Sequence, residues 1–525
     1  MQMGERACTP ALPLVGRILR VCCPNRSPLK KIERKRGSID RIFRMMGIHQ
    51  PQPEFFSYRV NLEHRVRKDH PLRRVAAVLD FTFVRAEVAQ FYGRNGNEGV
   101  DPIILAKLMF LLFFDDVPSE RELMERLPER LDYLWFLGYN LDETTPNHSV
   151  LSKARARWGD AVFKNIFLRT VQQCVEAGLV DGKKIHVVSS LIDANASKKS
   201  VRESSPELIA AYKQAVAAQA TKLEDTSTPE HYEAINDTHV STTDPDAALV
   251  RKGGRSGARP RYHHHRAVDD AHGVITAVQT TPGSIAENKK LAELIEQHEQ
   301  NTEKKIDTVV GDSKYGTAEN LAFCVAADIR PHLGVLEDKQ KKPAGREGLY
   351  EEKDFIYDEK TDTYLCPAGA ELKRRRACPR RHTFEYAPDA GVCGKCPLRE
   401  HCTKAAGGRT LQRHEQAALV EVGKKIARSS QARRDRRRRQ TLVEGSFAQA
   451  ANEHGFKRSR WRRLWRQQIQ DCLIAAVQNV KILVRDGGKL LAGGAGATLG
   501  VAAQLWRLGR FAGIRLACQP RAPKN

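Results

Sequence analysis

Residues 308–316 read TVVGDSKYG, a run of β-branched apolar residues that ends on a glycine and an aspartate. Such a run is typical of a buried parallel strand. A carboxylate at the end of a core strand is unfavourable unless it meets backbone N–H groups or a positive charge. Asp312 is therefore predicted either to cap the following helix or to hold a metal ion.

The composition indicates a large folded protein with a polyanionic partner. The chain has 525 residues, 41% of them hydrophobic, which is enough for one large core or several smaller ones. Lysine and arginine total 87 against 63 acidic residues, a formal charge of +24. Nucleic acid is the common partner of such a chain because neutralised phosphates release counterions. The alternatives are that the charge merely keeps the chain soluble, or that it binds an anionic membrane surface. No stretch approaches the roughly 20 apolar residues of a membrane-spanning helix.

Changes in composition and periodicity divide the chain into regions. We predict a poorly ordered basic extension (1–50), a helical DNA-binding domain (51–180), the first part of an α/β core (181–345), a cysteine-rich segment (346–412), a second part of the core (413–488) and a Gly- and Ala-rich tail (489–525). The apolar stripe Ile469, Leu473, Ala476, Val480 and Leu483 predicts a core helix in the second part of the core.

The helical domain contains helix-start signals and one basic helix. Asp101 with Pro102 predicts one N-terminus, and Ser119 with Glu122 predicts another. The stretch TTPNHSVLSKARARWG predicts a further helix, which would suit a helix-turn-helix unit that contacts DNA. The alternative is a solvated face on an all-α bundle. The basic side chains of this helix are Lys153, Arg155 and Arg157.

The α/β region begins with KKIHVVSSLIDANAS, which is predicted to be a strand that ends at Asp193. Two further strands, YHHHRAVDD and GVITAVQTT, are joined by a turn at 270–273, and a helix over 284–300 leads to the strand IDTVVGD. The histidines 263–265 cannot all bind one ion because neighbouring side chains on a strand point to opposite faces.

Three acidic residues are candidates for a metal site: Asp193 and Asp312 at strand ends and Glu444 on a later helix. Three converging carboxylates repel one another unless a divalent cation such as Mg²⁺ or Mn²⁺ lies between them. Two such ions support phosphodiester displacement. Spacing alone does not establish the site, since an aspartate at a strand end is more often a cap or turn residue and a lone glutamate more often a surface residue.

Several ordered motifs resemble bacterial insertion-sequence transposases of the DDE type, specifically the insertion-sequence 1182 group. The motifs are VVSSLIDANAS, STTDPDAALVRKGG, VVGDSKYGTAEN, YLCPAGAEL, CGKCPLREHCT and VEGSFAQAANEHG. Upstream, FFSYRVNLEHRV, SERELMERL and LWFLGYNLDETTPNHSVLSKARARWG resemble the helical N-terminal domain of these enzymes. The similarity extends from about residue 55 to about residue 485.

The resemblance implies an α/β fold in which an RNase-H-like catalytic domain carries an inserted Cys-rich region and follows an all-α N-terminal domain. It implies that Asp193 and Asp312 lie on neighbouring strands, and that Glu444 on a helix after the insertion completes the Mg²⁺-binding catalytic triad. Tyr315 and Gly316 also match the pattern after the second acid. Gly316 is expected to relieve a tight turn, whereas Tyr315 is either a motif residue or a core residue.

The implied function is metal-dependent cleavage and strand transfer by a transposase that binds the terminal inverted repeats of its element. The implied partners are double-stranded DNA, at the element ends and at the target, and a second copy of the chain. The expected location is the bacterial cytoplasm, in association with the nucleoid. Further candidate DNA contacts are Arg438, Arg439, Lys457, Arg458 and Arg460; an arginine-rich face that is merely solvated is the alternative.

The chain departs from the family pattern around the glutamate. Relatives often have a tyrosine and an arginine before it and a lysine after it, whereas Arg437, Gln440 and Ala451 stand at these positions. Loss of the lysine removes a phosphate contact. The alternative function is therefore a catalytically decayed or host-adopted DNA-binding protein. A metal-dependent nuclease without strand transfer is the third reading.

Five of the twelve cysteines lie between residues 366 and 402, which indicates metal binding in a reducing compartment more than a secreted disulfide scaffold. Cys393-x-x-Cys396 with Cys366 and Cys402 provides four thiolates for tetrahedral Zn²⁺. The alternative is a set of reduced, buried cysteines, and Cys378 is an extra cysteine in either case.

Overall fold

The computed structural model describes residues 60–93, 99–217, 233–251, 257–335, 348–379 and 382–487. The predicted basic extension and the Gly- and Ala-rich tail lie outside these ranges. None of the helices in the described ranges has the length and apolar character needed to cross a membrane.

Helices make up the first part of the described chain. Their bounds are α1 (Leu62–Arg65), α2 (Pro71–Val78), α3 (Phe83–Val88), α4 (Pro102–Phe114), α5 (Glu120–Arg126), α6 (Leu131–Leu137) and α7 (Ser149–Glu176). The predicted caps are confirmed: the Asp101 side chain accepts a hydrogen bond from the backbone N–H of Ile103, and that of Ser119 accepts one from Glu122. Helix α7 is kinked at Gly159, whose φ of 70° is accessible to glycine at low cost.

The central sheet follows the helical part. Its strands are β1 (Lys184–Asp193), β4 (Ala248–Val250), β5 (Arg259–Asp269), β6 (Ile275–Pro282), β7 (Thr308–Val310) and β8 (Arg330–His332). The order is β4-β5-β1-β7-β8, with β6 also paired to β5. Strand β1 is antiparallel to β5 and parallel to β7, and β7 is parallel to β8. The predicted strand that ends at Asp193 is confirmed, as is the predicted pair of strands joined at 270–273.

Shorter elements connect these strands. They are β2 (Val201–Glu203), α8 (Pro206–Ala217), α9 (Glu233–Asn236), β3 (His239–Ser241), α10 (Leu291–Thr302) and α11 (Ala318–Ala326). The helix predicted over 284–300 begins later than expected because Glu287–Lys290 forms a separate 3-10 turn. The adjoining α10 extends to Thr302.

The two faces of β1 pack against different helices. Ile185 and Val187 join an apolar cluster with residues of α10 and α11, whereas Val188 packs against a cluster that contains Phe167 of α7 and Cys472. This alternation follows from the two-residue period of a strand. The position of a residue along β1 therefore decides which helices its side chain meets.

A five-stranded antiparallel sheet occupies the cysteine-rich segment. Its strands are β9 (Ile356–Asp358), β10 (Thr363–Leu365), β11 (Glu371–Cys378), β12 (Thr383–Ala387) and β13 (Leu411–His414), in the order β13-β12-β11-β10-β9, with the short helix α12 (Arg399–Cys402) before β13. Its core consists of Phe355, Tyr364, Leu372, Tyr386 and Leu411. So small a core contributes little apolar stabilisation by itself.

The last elements return to the central sheet. They are α13 (Ala417–Ala427), α14 (Ser430–Arg439), a π-helical turn (Gln440–Glu444), α15 (Gly445–Glu453), α16 (Leu464–Ile482) and a second π-helical turn (Leu483–Gly487). Asp435 anchors the arginine-rich α14, because its carboxylate accepts hydrogen bonds from Lys184 Nζ (3.1 Å) and His332 Nδ1 (2.6 Å). Although burial opposes it, these bonds lower the pKa of Asp435.

Helix α16 is the core helix that the apolar stripe predicts. Every residue of the stripe is buried, and so is every residue from Gln467 to Val480, including the polar ones. The polar side chains are accommodated through hydrogen bonds, as when Asn479 contacts both backbone groups of Ile275. The helix is therefore enclosed on all sides rather than amphipathic.

The histidine run on β5 alternates as expected. The rings of His263 and His265 lie on one face with their centroids 4.6 Å apart, whereas His264 Nδ1 lies 3.0 Å from Asp471 on the other face. The three rings do not converge on one point, which confirms the predicted alternation of these side chains.

Buried histidines make the fold sensitive to acid. Burial, with a smaller effect of Lys481, lowers the pKa of His454 to about 4, and the ring is fully buried beside the backbone carbonyl of Phe113. The unfolded chain protonates this histidine near its ordinary pKa of about 6.5. The stabilisation is complete above that pH and is lost as the pH falls towards 4.

We predict that His454 accounts for about 2 kcal/mol of the free energy of unfolding that is lost between pH 7 and pH 5. Urea unfolding of the parent and of His454→Asn at both pH values measures this contribution, since asparagine keeps a donor but does not titrate. The matched control His401→Asn removes an exposed histidine. An equal pH dependence in the parent and His454→Asn would contradict the prediction.

Candidate functional site

Asp312 lies in the turn after β7 and does not cap the next helix. Its Oδ1 accepts a hydrogen bond from the backbone N–H of Lys314 (2.9 Å), whereas the Thr317 side chain caps α11. Lys314 also pairs with Glu287. Burial raises the pKa of Glu287, Lys314 lowers it and Asp312 raises it again, so the two carboxylates lie within electrostatic reach of each other.

The two residues that match the family motif after Asp312 have structural roles. Tyr315 is fully buried, and its hydroxyl lies 2.7 Å from Ser189 Oγ. Gly316 closes a turn, since its N–H donates to the carbonyl of Ser313 (3.3 Å), and its backbone also packs directly against a neighbouring chain segment. A Cβ atom at Gly316 would lie 1.8 Å from the carbonyl oxygen of Gly334. Close approach of two backbones requires this glycine.

The register between β1 and β7 determines which residue lies beside Asp312. Val310, the last residue of β7, is opposite His186. A Cβ atom at Gly311 would lie 3.1 Å from Val187 Cγ2, so the alignment continues for at least one residue beyond the ladder. One further step brings Asp312 level with Val188. Asp193 lies five residues further along β1, about 16 Å away at the usual rise of a strand.

The carboxylate of Asp193 pairs with two arginines. Its Oδ1 accepts a hydrogen bond from Arg261 Nε (2.6 Å), and its Oδ2 lies 3.7 Å from Arg259 Nη1. Its backbone also pairs with the segment 457–459, through bonds to Lys457 and Ser459. Because Arg261 is only 5% exposed, this ion pair mainly joins the ends of β1 and β5.

Glu444 lies on the opposite face of the sheet from Asp193. Its side chain is exposed at the end of the π-helical turn, and the preceding Val443 belongs to the cluster against which Val188 packs. Val188 is paired across the strands with Arg266, whose guanidinium lies 4.0 Å from the Phe447 ring centroid of α15. The face of β1 that carries Val188 is thus the face covered by the Glu444 helix.

The structure therefore does not bring the three predicted acids together. Within the described ranges, no three His, Cys, Asp or Glu side chains form a group able to hold a metal ion. Asp312 lies where the parallel strands β7 and β8 end, a place called the sheet edge below, and Glu444 lies on the helix that covers one face. Asp193, in contrast, is displaced along β1 and paired with arginines. The residues present do not fit a three-carboxylate Mg²⁺ or Mn²⁺ site.

The four cysteines predicted to bind zinc line one small cavity of about 30 Å³ in the five-stranded domain. These residues are Cys366, Cys393, Cys396 and Cys402. The backbone N–H of Ala370 donates to Cys366 Sγ at 3.2 Å. The thiols surround a common space, but they are not arranged as a metal-binding group. Cys378 ends β11 and does not line the cavity.

Two of the basic residues predicted to contact DNA have guanidinium groups that pack inside the protein. Arg155 is 3% exposed, pairs with Glu120 and lies 3.9 Å from the Trp461 ring centroid. Arg460 donates to Asp116 Oδ1 (2.6 Å) and to the backbone carbonyl of Leu112 (2.9 Å). These two predictions need correction, because packing against partners distant in sequence removes both guanidinium groups from the surface.

The other predicted DNA contacts are on or near the surface. Lys153, Arg157, Lys457 and Arg458 are exposed, Arg438 is half exposed while paired with Asp270, and Arg439 is partly buried. Arg438 and Arg439 end α14, just before the Glu444 turn. Lys457 Nζ lies 3.0 Å from Ser190 Oγ on the face of β1 that carries Val188. Positive charge therefore surrounds the sheet edge near Asp312 and Glu444.

Sequence reasoning missed two residues of this edge. Glu287 pairs with Lys314 and lies within electrostatic reach of Asp312. No sequence motif marks its position before α10. Val188 lies level with Asp312 in the interior of β1, whereas the prediction names the aspartate at the end of that strand. The two-residue alternation along β1 would have placed Val188 and Asp193 on opposite faces.

Two family models match separate parts of the chain. A model described as Transposase domain (DUF772) matches residues 60–157, and a model described as Transposase DDE domain matches residues 365–484, a range that contains Glu444. No curated protein matches the chain at a significant level. The two domain matches indicate a transposase of the DDE type.

We predict that Asp193→Ala lowers the free energy of unfolding by about 1–3 kcal/mol, because it leaves the buried Arg261 without its charged partner. Arg259→Ala, which removes the 48% exposed arginine at 3.7 Å, is the control and is expected to cost less than about 1 kcal/mol. Urea unfolding measures both changes. Unchanged stability of Asp193→Ala would show that the ion pair does not hold the strand ends together.

Proposed function

We propose that this chain, which the two domain matches indicate to be a DDE-type transposase, binds the terminal inverted repeats of an insertion sequence of the 1182 group. The observation that carries the proposal is the exposed positive charge around the sheet edge, with Lys457 and Arg458 on one side and Arg438 on the other. Phosphate contacts of this kind orient a protein on DNA without reading its sequence. The implied partner is double-stranded DNA.

We propose that the central sheet is RNase-H-like and that the five-stranded domain is an insertion in it. The strand order supports this: β6, β5 and β1 are successively antiparallel, while β1, β7 and β8 are parallel. The five-stranded domain occurs in the chain between β8 and α13. In support of the proposal, Asp312 follows β7 directly, and Glu444 comes after the five-stranded domain in the chain.

We propose that two copies of the chain hold the two ends of the element in one complex. Joining two ends requires that both be held at once, and a symmetric homodimer is the simplest arrangement that does so. The helical domain carries further exposed basic residues, Lys153 and Arg157 of α7.

Metal-dependent cleavage and strand transfer is the second candidate function. Asp312 and Glu444 favour it, because oxygen ligands at a sheet edge suit Mg²⁺ or Mn²⁺. Such ions, when bound, supply the charge that activates a water or a 3′-hydroxyl. The position of Asp193 favours the alternative of a decayed or host-adopted DNA-binding protein, since this acid is paired with Arg261 and lies five residues along β1 from the level of Asp312.

We also propose that the cysteine cavity holds structural Zn²⁺. The donor set fits the metal chemically, because four thiolates are a common tetrahedral zinc set. The cavity borders the five-residue apolar core, with Cys366 and Cys402 packed against it. A metal at this place would stabilise a domain whose apolar core is small.

We predict that Lys153→Ala and Arg458→Ala each weaken binding to the element ends and reduce the slope of log affinity against log salt by about 1, because each removes a phosphate contact. Mobility shifts at several salt concentrations, without metal, measure both effects. The control is Lys360→Ala in the five-stranded domain, which removes an exposed lysine. Affinity and slope like the parent's in both variants would contradict the proposed DNA surface.

We predict about one zinc ion per chain in protein purified under reducing conditions. Cys393→Ser is expected to lose the zinc and destabilise the five-stranded domain, whereas the matched control Cys378→Ser keeps it. Elemental analysis of the purified proteins decides the question. A parent chain that stays free of zinc after reconstitution would exclude the structural metal.

A further inference from the structure

Val188 lies at the one position of β1 that is both level with Asp312 and on the face covered by the Glu444 helix. We infer that this side chain leaves the divalent-metal site one carboxylate short, and that an acid at position 188 would complete it. The inference rests on the proposed function, because it concerns the metal that a DDE-type transposase would use. It assigns a metal-determining role to a residue that carries no functional group.

The level of Val188 along β1 and the face on which it lies both follow from the hydrogen-bonded neighbouring strands. The parallel ladder with β7 fixes its level, since His186 is opposite Val310 and Asp312 follows two residues later. The antiparallel ladder with β5 fixes its face, since Val188 is opposite Arg266.

Arg266 identifies that face as the one under the glutamate helix. Its Nη1 donates to Ser446 Oγ (2.9 Å) and to Gln478 Oε1 (3.2 Å), and the guanidinium is fully buried. Ser446 follows Glu444 by two residues. A side chain at position 188 therefore points towards the helix that carries the glutamate.

No other residue of this face of β1 supplies the missing acid. The residues of β1 that share the face are Lys184, His186, Val188, Ser190 and Ile192. His186 Nε2 lies 2.7 Å from Asp270, Ser190 contacts Lys457, and Ile192 is buried in the helical core. Asp193 belongs to the other face.

Glu287, the remaining acid near Asp312, is already paired. Lys314 neutralises it, and its 8% exposure leaves little room for an ion and its waters. Mg²⁺ and Mn²⁺ keep several waters and need freely available oxygens. Among the residues that the structure describes, Asp312 and Glu444 are therefore the accessible acids at this edge.

The consequence is weak metal binding by the chain as it stands. Loss of an outer-sphere partner alone costs about 10–100-fold in metal affinity, so loss of a direct carboxylate ligand costs at least as much. Val188→Asp is expected to raise Mn²⁺ affinity at least about tenfold, and Val188→Asn is expected to change it little because it lacks the charge. Adding Asp312→Asn to Val188→Asp should remove the gain.

The experiment titrates Mn²⁺ by calorimetry into the full-length chain and its variants, without DNA. Circular dichroism verifies that each variant is folded. A second assay incubates each protein with Mg²⁺ and a plasmid that carries the native element ends. The expected result is a gain of Mn²⁺ affinity and of cleavage in Val188→Asp alone, with end binding in the mobility shift equal to the parent's.

Two results would overturn the inference. One is a folded Val188→Asp whose Mn²⁺ affinity equals that of Val188→Asn. The other is a parent chain that already binds Mn²⁺ tightly and loses this binding in Asp312→Asn, a result that decides the matter even if Val188→Asp does not fold. Failure of the proposed function is distinguishable, because it would appear as absent end binding in the metal-free mobility shift.

Discussion

The register between β1 and its two neighbours is the constraint on which the rest of the site depends. Strand β1 lies in the middle of the sheet, and its hydrogen bonds to β5 and β7 fix the level and face of every side chain it carries. A shift of one residue would exchange the two faces. Because one face meets α10 and α11 and the other meets α7 and the glutamate helix, such a shift would disrupt both apolar clusters.

Buried polar contacts connect the glutamate helix to this sheet. The guanidinium of Arg266 lies 4.0 Å from the ring centroid of Phe447 and 5.2 Å from that of Phe456, and its Nε donates to His264 Nε2 on the same strand. Burial lowers the pKa of Arg266 to about 9, which reflects the cost of a desolvated guanidinium. Such a network is favourable only when nearly all of its groups are paired, so it specifies one position for α15 on β5.

Local patterns predicted the elements well, whereas contacts between distant segments were beyond their reach. The strand that ends at Asp193, the strands joined at 270–273 and the core stripe of α16 all follow from periodicity and turn residues. The level of Asp312 against β1 depends on a three-residue ladder that no local pattern encodes. The burial of Arg155 and Arg460 likewise depends on Glu120 and Asp116, and helical spacing does not reveal either partner.

The most direct test of the register is disulfide formation between paired cysteines at the site. Level residues on adjacent parallel strands lie within the about 4.4–6.8 Å that a disulfide allows between Cα atoms, whereas a separation of about 16 Å does not. After mild oxidation of Val188→Cys with Asp312→Cys, mass spectrometry is expected to find the cross-linked peptide, and Asp193→Cys with Asp312→Cys is expected to give none. A cross-link between positions 193 and 312, with none between 188 and 312, would contradict the account.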